Sequence, residues 1–295
     1  MKTIYTLALA SLLMLFAFEG KAATKTWQLT SGSGAWTTGS NWSGGTAPSA
    51  NDVIDFSLGG TSTVTAMPAF TANQLLVSGN TNITISVSSA AALTIAGAAG
   101  TDLSIASGST LQLGGTSAVT IVMNTGTTGS ISGNLTFNTN GNFLNPADAN
   151  AVTFNSGSVL TQNGTGPAFT TGATNNVCLF ASGSTFIQNA CSNPFQSTQP
   201  NSRVQFQPGS LFKLQQNAAP SLSGRTYANF EINVAGYNQT ISSGTSTWTM
   251  DNFIFNGTGL NITTNLPVSI KGNITVTSGT ITYNPSTAAT LNING

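Results

Sequence analysis

One phrase returns at a fixed step along this chain. Residues 153–163 read TFNSGSVLTQN, residues 179–189 read LFASGSTFIQN and residues 205–215 read QFQPGSLFKLQ. Gly157, Gly183 and Gly209 are evenly spaced in it. Their step, about 26 residues, falls in the range of about 20–50 that marks a chain stacking one small unit on the next. In that register Val152, Cys178 and Val204 align, as do Phe154, Phe180 and Phe206, and then Leu160, Phe186 and Phe212. Pro167, Pro194 and Pro220 follow more loosely. Apolar type recurring at each register is what stacking demands, because every inward side chain rests on the like residue above and below. The three glycines mark a corner with positive φ. Gly108, Gly133 and Gly236 extend the pattern less regularly.

From about Gln74 onward the chain alternates apolar and polar residues over short runs. Examples are NITISV (82–87), LTIAG (93–97), NLTFN (134–138), NFEINV (229–234) and NITVTSGTITY (273–283). β-Branched and aromatic residues fill these runs, and Gly, Asn and Ser break them. No segment after the N-terminal apolar run carries a capped helical period. The expected fold is all-β, a right-handed parallel β-helix (solenoid) with an N-terminal cap. Its rungs would each take about 24–27 residues, a repeat length typical of solenoids. Residues 61–295 would hold the repeats, residues 23–60 the cap and first strand. At the ~4.8 Å strand spacing, roughly nine rungs make a rod about 40 Å long. The C-terminal stretch ATLNING ends in strand-like sequence without a cap. A bare rung is an open sheet edge, so either more chain or another copy is expected to cover it.

Residues 1–22 read as a cleaved signal peptide. Lys2 precedes the apolar run Ile4 to Phe18, and Gly20-Lys21-Ala22 offers small residues for cleavage near Ala22 or Ala23. That run is short for a membrane span. The first cysteine is Cys178, which places no thiol near the cleavage point for a lipid. A secreted or cell-surface address is expected, with no span left after cleavage.

Charge is sparse: 5% of residues are charged, against about a quarter in ordinary globular chains. Nucleic acid is not expected as a partner, since no basic stripe faces phosphates. Histidine is absent, which removes the commonest general base, the Ser-His and Cys-His couples and His-ligated zinc. No cofactor is called for. Cys178 and Cys191, half a repeat apart, could join in a disulfide across the interior or stand as small buried hydrophobes.

The N-terminal segment WQLTSGSGAWTTGSNWSGGTAPSANDVIDF (27–56) carries Trp36, Asn41-Trp42-Ser43, Gly45, Pro48, Asp52-Val53 and Phe56. This pattern resembles the entry segment of exported bacterial β-helix surface proteins, the autotransporter passenger-like proteins and the Bacteroidetes secreted proteins with a sorting domain. The resemblance covers the cap closely and the remainder in style. It implies a solenoid at the cell surface and no particular activity. No sorting domain or outer-membrane barrel is recognisable after residue 240.

Four groups of residues could carry chemistry. Trp27, Trp36 and Trp42 suit either a sugar platform or, better, a plug for the first rung. Asn41, Asp52 and Asp55 offer oxygen ligands, too few for the six to eight that calcium takes. Lys213, Arg225, Glu231 and Asp251, joined by Arg203, form the one charged cluster of the repeats and would be the catalytic residues of a polysaccharide lyase or hydrolase. In the register of the corner phrase Glu231 lies above Gln205, with Arg203 diagonal to it. Thr275/Thr277 and Thr280/Thr282 could order water in a flat column, but Thr is also an ordinary outward strand residue. The Asn-x-Ser/Thr triplets at Asn41, Asn82, Asn134, Asn163, Asn238, Asn256, Asn261 and Asn273 follow from composition. Together these features lead to the expectation of an exported, non-catalytic, adhesin-like or structural rod. Its partner would be polysaccharide or another surface protein, with a carbohydrate-active enzyme on the same fold as the alternative.

Overall fold

The computed structural model describes residues 22–97, 99–191, 193–198, 201–285 and 289–294. The signal-peptide reading of residues 1–22 falls almost entirely outside them. Among the described residues no helix is long and apolar enough to cross a membrane.

The chain is a parallel β-solenoid of about ten turns, roughly 50 Å along its axis at the ~4.8 Å strand spacing. Each complete turn lays one strand in each of three faces. The first sheet stacks eight strands, from Thr24–Thr26 to Val204–Phe206. The second stacks twelve and runs nearly the whole rod, from Ser31–Ala35 to Ile274–Tyr283. The third has four, Phe70–Ala72, Ala91–Ile95, Val119–Met123 and Phe143–Pro146, and reaches Phe169 by a single bridge to Leu144. Beyond Phe169 the described residues add no further strand to this sheet. A fourth sheet of three strands, Trp248–Met250, Val268–Ile270 and Leu291–Ile293, sits in the later turns.

The recurring phrase is the corner between the first and second sheets. Gly157, Gly183 and Gly209 adopt φ of 82°, 79° and 86°, a region that L side chains enter only with strain. The serine after each is buried, and its hydroxyl donates to the carbonyl three residues back: Ser158 to Asn155 at 2.7 Å, Ser184 to Ala181 at 2.6 Å, Ser210 to Gln207 at 2.7 Å. Gly157 N–H donates to the Gly183 carbonyl and Gly183 N–H to that of Gly209, both at 2.9 Å. Each corner therefore satisfies its own backbone and clips to the next. Gly-Ser recurs because one residue must take the turn and the other must satisfy a carbonyl inside it.

Inside, the expected columns hold. Val152, Cys178 and Val204 are in register, as are Phe154, Phe180 and Phe206, and Leu160, Phe186 and Phe212. All are buried. The Phe154 and Phe180 rings stack at 4.4 Å, Phe180 and Phe206 at 5.1 Å. The stack continues through Tyr227, Phe230 and Phe253 at 5.7, 4.7 and 5.5 Å. Each such ring contributes about 1.5–3 kcal/mol by burial, with ~0.5–1.5 kcal/mol more per ring pair.

At the N-terminal end Thr24–Thr26 pairs in parallel with Val53–Asp55, and Ser31–Ala35 with Thr61–Thr65. Two expectations need correction. Gly133 has no positive φ; a Cβ there would collide with the carbonyl oxygens of Ser109 and Ala106, so glycine serves close approach. Gly236 (φ 74°) is not in the corner column, because Asn229–Asn233 and Asn238–Ile241 on either side of it both lie along the single strand Asn252–Ile262.

Candidate functional site

The N-terminal tryptophans are a plug. Trp27, Trp36 and Trp42 are 2%, 1% and 1% exposed, with Trp42 meeting each of the others edge-to-face at 5.0 Å. Trp27 Nε1 donates to Ser62 Oγ and Trp42 Nε1 to the Trp36 carbonyl. No ring face is left for a sugar. The oxygens beside them hold the chain: Asp52 accepts from the N–H groups of Ala23 and Ser49, and Asp55 from the hydroxyls of Thr26 and Ser57. Asn41 donates to the Ala35 carbonyl. Among the described residues no three His, Cys, Asp or Glu side chains group as metal ligands would.

The charged residues do not form one cluster. Lys213 and Glu231 are register partners on neighbouring strands of the second sheet and pair at 3.0 Å. Glu231 also accepts from Asn233 Nδ2 at 2.9 Å. Gln205 instead pairs with Leu179 in the first sheet, so the expected Glu231–Gln205 stacking is wrong. The turn from Phe212 to Phe230 is much shorter than the one from Phe186 to Phe212, and every position beyond it shifts. Asp251 pairs with Lys271 at 3.2 Å, at a corner rather than on the sheet. Each carboxylate thus has its own lysine, and partly exposed pairs of this kind contribute modestly to stability.

Arg203 and Arg225 are buried, at 2% and 5% exposure, and among the described residues neither meets a carboxylate. Arg203 donates to the carbonyls of Thr174 (2.5 Å) and Pro146 (3.0 Å) and to Asn145 Oδ1 (3.3 Å). Arg225 donates to the carbonyls of Asn201 and Ser197 and lies 4.7 Å from the Phe195 ring centre. Burial pushes both guanidinium pKa values down from their ordinary range. Arg203 ties the last strand of the third sheet to the loop at Thr174, and Arg225 holds the loop at Ser197 and Asn201. Grooves of about 490 and 290 Å³ both count Arg225 among their lining residues.

Cys178 and Cys191 are free thiols in the structure. Cys178 points into the core from the first sheet, where burial raises its pKa far above the usual thiol value. Cys191 lies in the loop after Thr185–Gln188, and its carbonyl accepts from the side-chain amides of Gln188 and Gln216.

The outer face of the second sheet escapes a residue-by-residue reading. Ser33, Thr63, Thr84, Gln112, Thr136 and Thr161 stand in one column across successive turns. Beside it run Ser31, Thr61, Asn82, Thr110 and Asn134. Amides link the turns: Gln112 donates to Asn82 at 2.9 Å, Asn163 to Asn138 and Asn189 to Asn163 at 2.7 Å. The first column then changes character at Ile187, Lys213, Glu231 and Ile254 before Thr275. Thr275 therefore rests on Ile254, not on another threonine. The polar residues that build these columns are plain in the sequence, but the turns here differ in length by several residues and hide the alignment.

Comparison of the chain with family models, curated proteins and solved structures finds no match.

Proposed function

We propose that this chain is an exported, non-catalytic rod, adhesin-like or structural, that engages polysaccharide through the outer face of its second sheet. The observation that carries this reading is the pair of hydroxyl and amide columns from Ser31 and Ser33 to Asn134 and Thr161. Side chains repeating at ~4.8 Å on a parallel sheet offer many equivalent hydrogen-bonding groups, several of them already held by their neighbours. Such an array suits a long, repeating, hydroxyl-rich ligand, where many weak contacts act together. Another surface protein is the second class of partner. Catalysis at Lys213, Arg225, Glu231 and Asp251 gains no support, since the two acids engage separate lysines and Arg225 clamps backbone.

The test is to incubate purified residues 23–295 with a panel of insoluble polysaccharides. Retention without accumulation of soluble fragments is expected. Fragments released in proportion to protein and time would instead establish an enzyme, and absence of retention on every member would remove the polysaccharide partner.

A further inference from the structure

The ion pair between Lys213 and Glu231 belongs to a larger arrangement on the outer face of the second sheet. The two residues face each other on adjoining strands, and Asn233 follows Glu231 by two positions, so all three project from the same face. A single carboxylate oxygen, Glu231 Oε1, accepts from the lysine ammonium at 3.0 Å and from the Asn233 amide at 2.9 Å. The Asn233 carbonyl oxygen, Oδ1, accepts in turn from Asn256 Nδ2 at 3.0 Å. Asn256 is held in that orientation by Ser278, whose hydroxyl donates to its Oδ1 at 2.7 Å. Ile187 and Ile254 occupy the flanking positions of the column. The pair between them is largely withdrawn from water, at 23% and 14% side-chain exposure.

These groups are the ones that amide exchange requires. An amine serves as nucleophile, and a carboxylate beside it can take and return a proton. A side-chain amide is the electrophile, and a donor already sits on the oxygen where negative charge would develop. Lysine carries its amine on a flexible four-carbon stem. Asn233 stands one strand over, ~4.8 Å, and two residues along, within reach of that stem.

We propose that Lys213 and Asn233 join in an intramolecular isopeptide bond, formed once by the folded chain with Glu231 as the proton carrier. Glu231 takes a proton from the ammonium, and the freed Nζ attacks Asn233 Cγ. Negative charge gathers on Oδ1, where Asn256 Nδ2 stabilises it. The Nζ–Cγ bond forms and the Cγ–Nδ2 bond breaks. Nδ2 leaves as ammonium, carrying the two protons that Nζ gives up, and Glu231 is again a carboxylate. The exchange is redox-neutral. It staples Leu211–Leu214 to Asn229–Asn233 across the short turn between them. It acts on the chain itself and is independent of saccharide binding.

The test is mass spectrometry of the purified chain after trypsin digestion. A branched peptide is expected, with Lys213 joined to Asn233 and the chain uncut after Lys213. An asparagine that cyclises onto its own backbone also loses ammonia but leaves every peptide linear, so the branch is the readout. Lys271, 60% exposed beside Asp251, should stay free. Lys213→Arg keeps the positive charge without a usable nucleophile and should lose the branch, as should Asn233→Ser. Glu231→Gln should carry little or none, since it removes the proton carrier. All three variants change residues on the outer face, and their melting curves should remain cooperative. Only linear peptides from a folded parent chain would overturn the proposal. So would a branch from Lys213 to another residue, or a branch equally complete in Glu231→Gln.

Discussion

A single glycine shows how tightly residue identity and fold are tied. Gly183 has φ of 79°, and a Cβ there would collide with Ser156 Oγ of the preceding corner. Gly183→Val therefore combines backbone strain of about 1–3 kcal/mol with a clash against the neighbouring rung. A loss of at least ~2 kcal/mol in urea denaturation is expected; a change within error would mean the corner is not built this way. Buried tyrosines set a pH limit of the same local origin. Burial raises the pKa of Tyr227 and Tyr237 above the ordinary phenol value of 10.0. In the unfolded chain these phenols lose their protons near that value, whereas in the fold they keep them. The unfolded state is thus favoured as pH rises, and stability should hold below about pH 10 and fall above it. Melting temperatures measured on either side of that pH would check this, with Tyr237→Phe flattening the decline.

At the scale of strands and turns, the turn length decides which side chains meet. The corner phrase predicts the observed register of the strands from Val152–Phe154 to Leu211–Leu214, because turn length is constant there. The step from Phe212 to Phe230 is short: fewer residues separate Leu211–Leu214 from Asn229–Asn233 than separate Thr185–Gln188 from Leu211–Leu214. Nothing in the local pattern around Glu231 announces this; alternation sets which way a side chain points, not which rung lies beneath it. Alternation therefore gives Glu231 its outward direction and leaves its neighbour undetermined. The tryptophan plug is legible because three large aromatics before the first repeat have few other places to go. The Arg203 and Arg225 clamps are not, because their partners are mostly backbone carbonyls, which leave no trace in side-chain sequence. Paired cysteines test the register directly. Neighbouring rungs bring Cα atoms about 4.8 Å apart, within disulfide range. Lys213→Cys with Glu231→Cys should crosslink under mild oxidation, and Gln205→Cys with Glu231→Cys should not. The reverse pattern would restore the longer turn of the corner phrase.

The whole molecule is a one-dimensional stack in which each turn leans on its neighbours. Its two ends differ. Three buried tryptophans fill the first turns, whereas Val276, Leu291 and Ile293 in the last strands are 47%, 42% and 51% exposed. Local opening should therefore begin at the end carrying Ile274–Tyr283 and Leu291–Ile293, where least apolar surface is covered. Hydrogen exchange should show least protection there and most in the middle turns, from Thr81–Val87 to Thr185–Gln188. Uniform protection along the rod, or an N-terminal end that opens first, would argue against the plug.

The proposed function rests on the rod's longest face, and one comparison tests that proposal most directly. Thr84, Thr136 and Thr161 are outward in one column of the second sheet, so a triple lysine variant disrupts the face without entering the core. Its retention on an insoluble polysaccharide that holds the parent chain should be measured alongside its melting temperature. Loss of retention with an unchanged melting temperature is the expected result. A folded triple variant retained as well as the parent would place the binding surface elsewhere and contradict the role given to these columns.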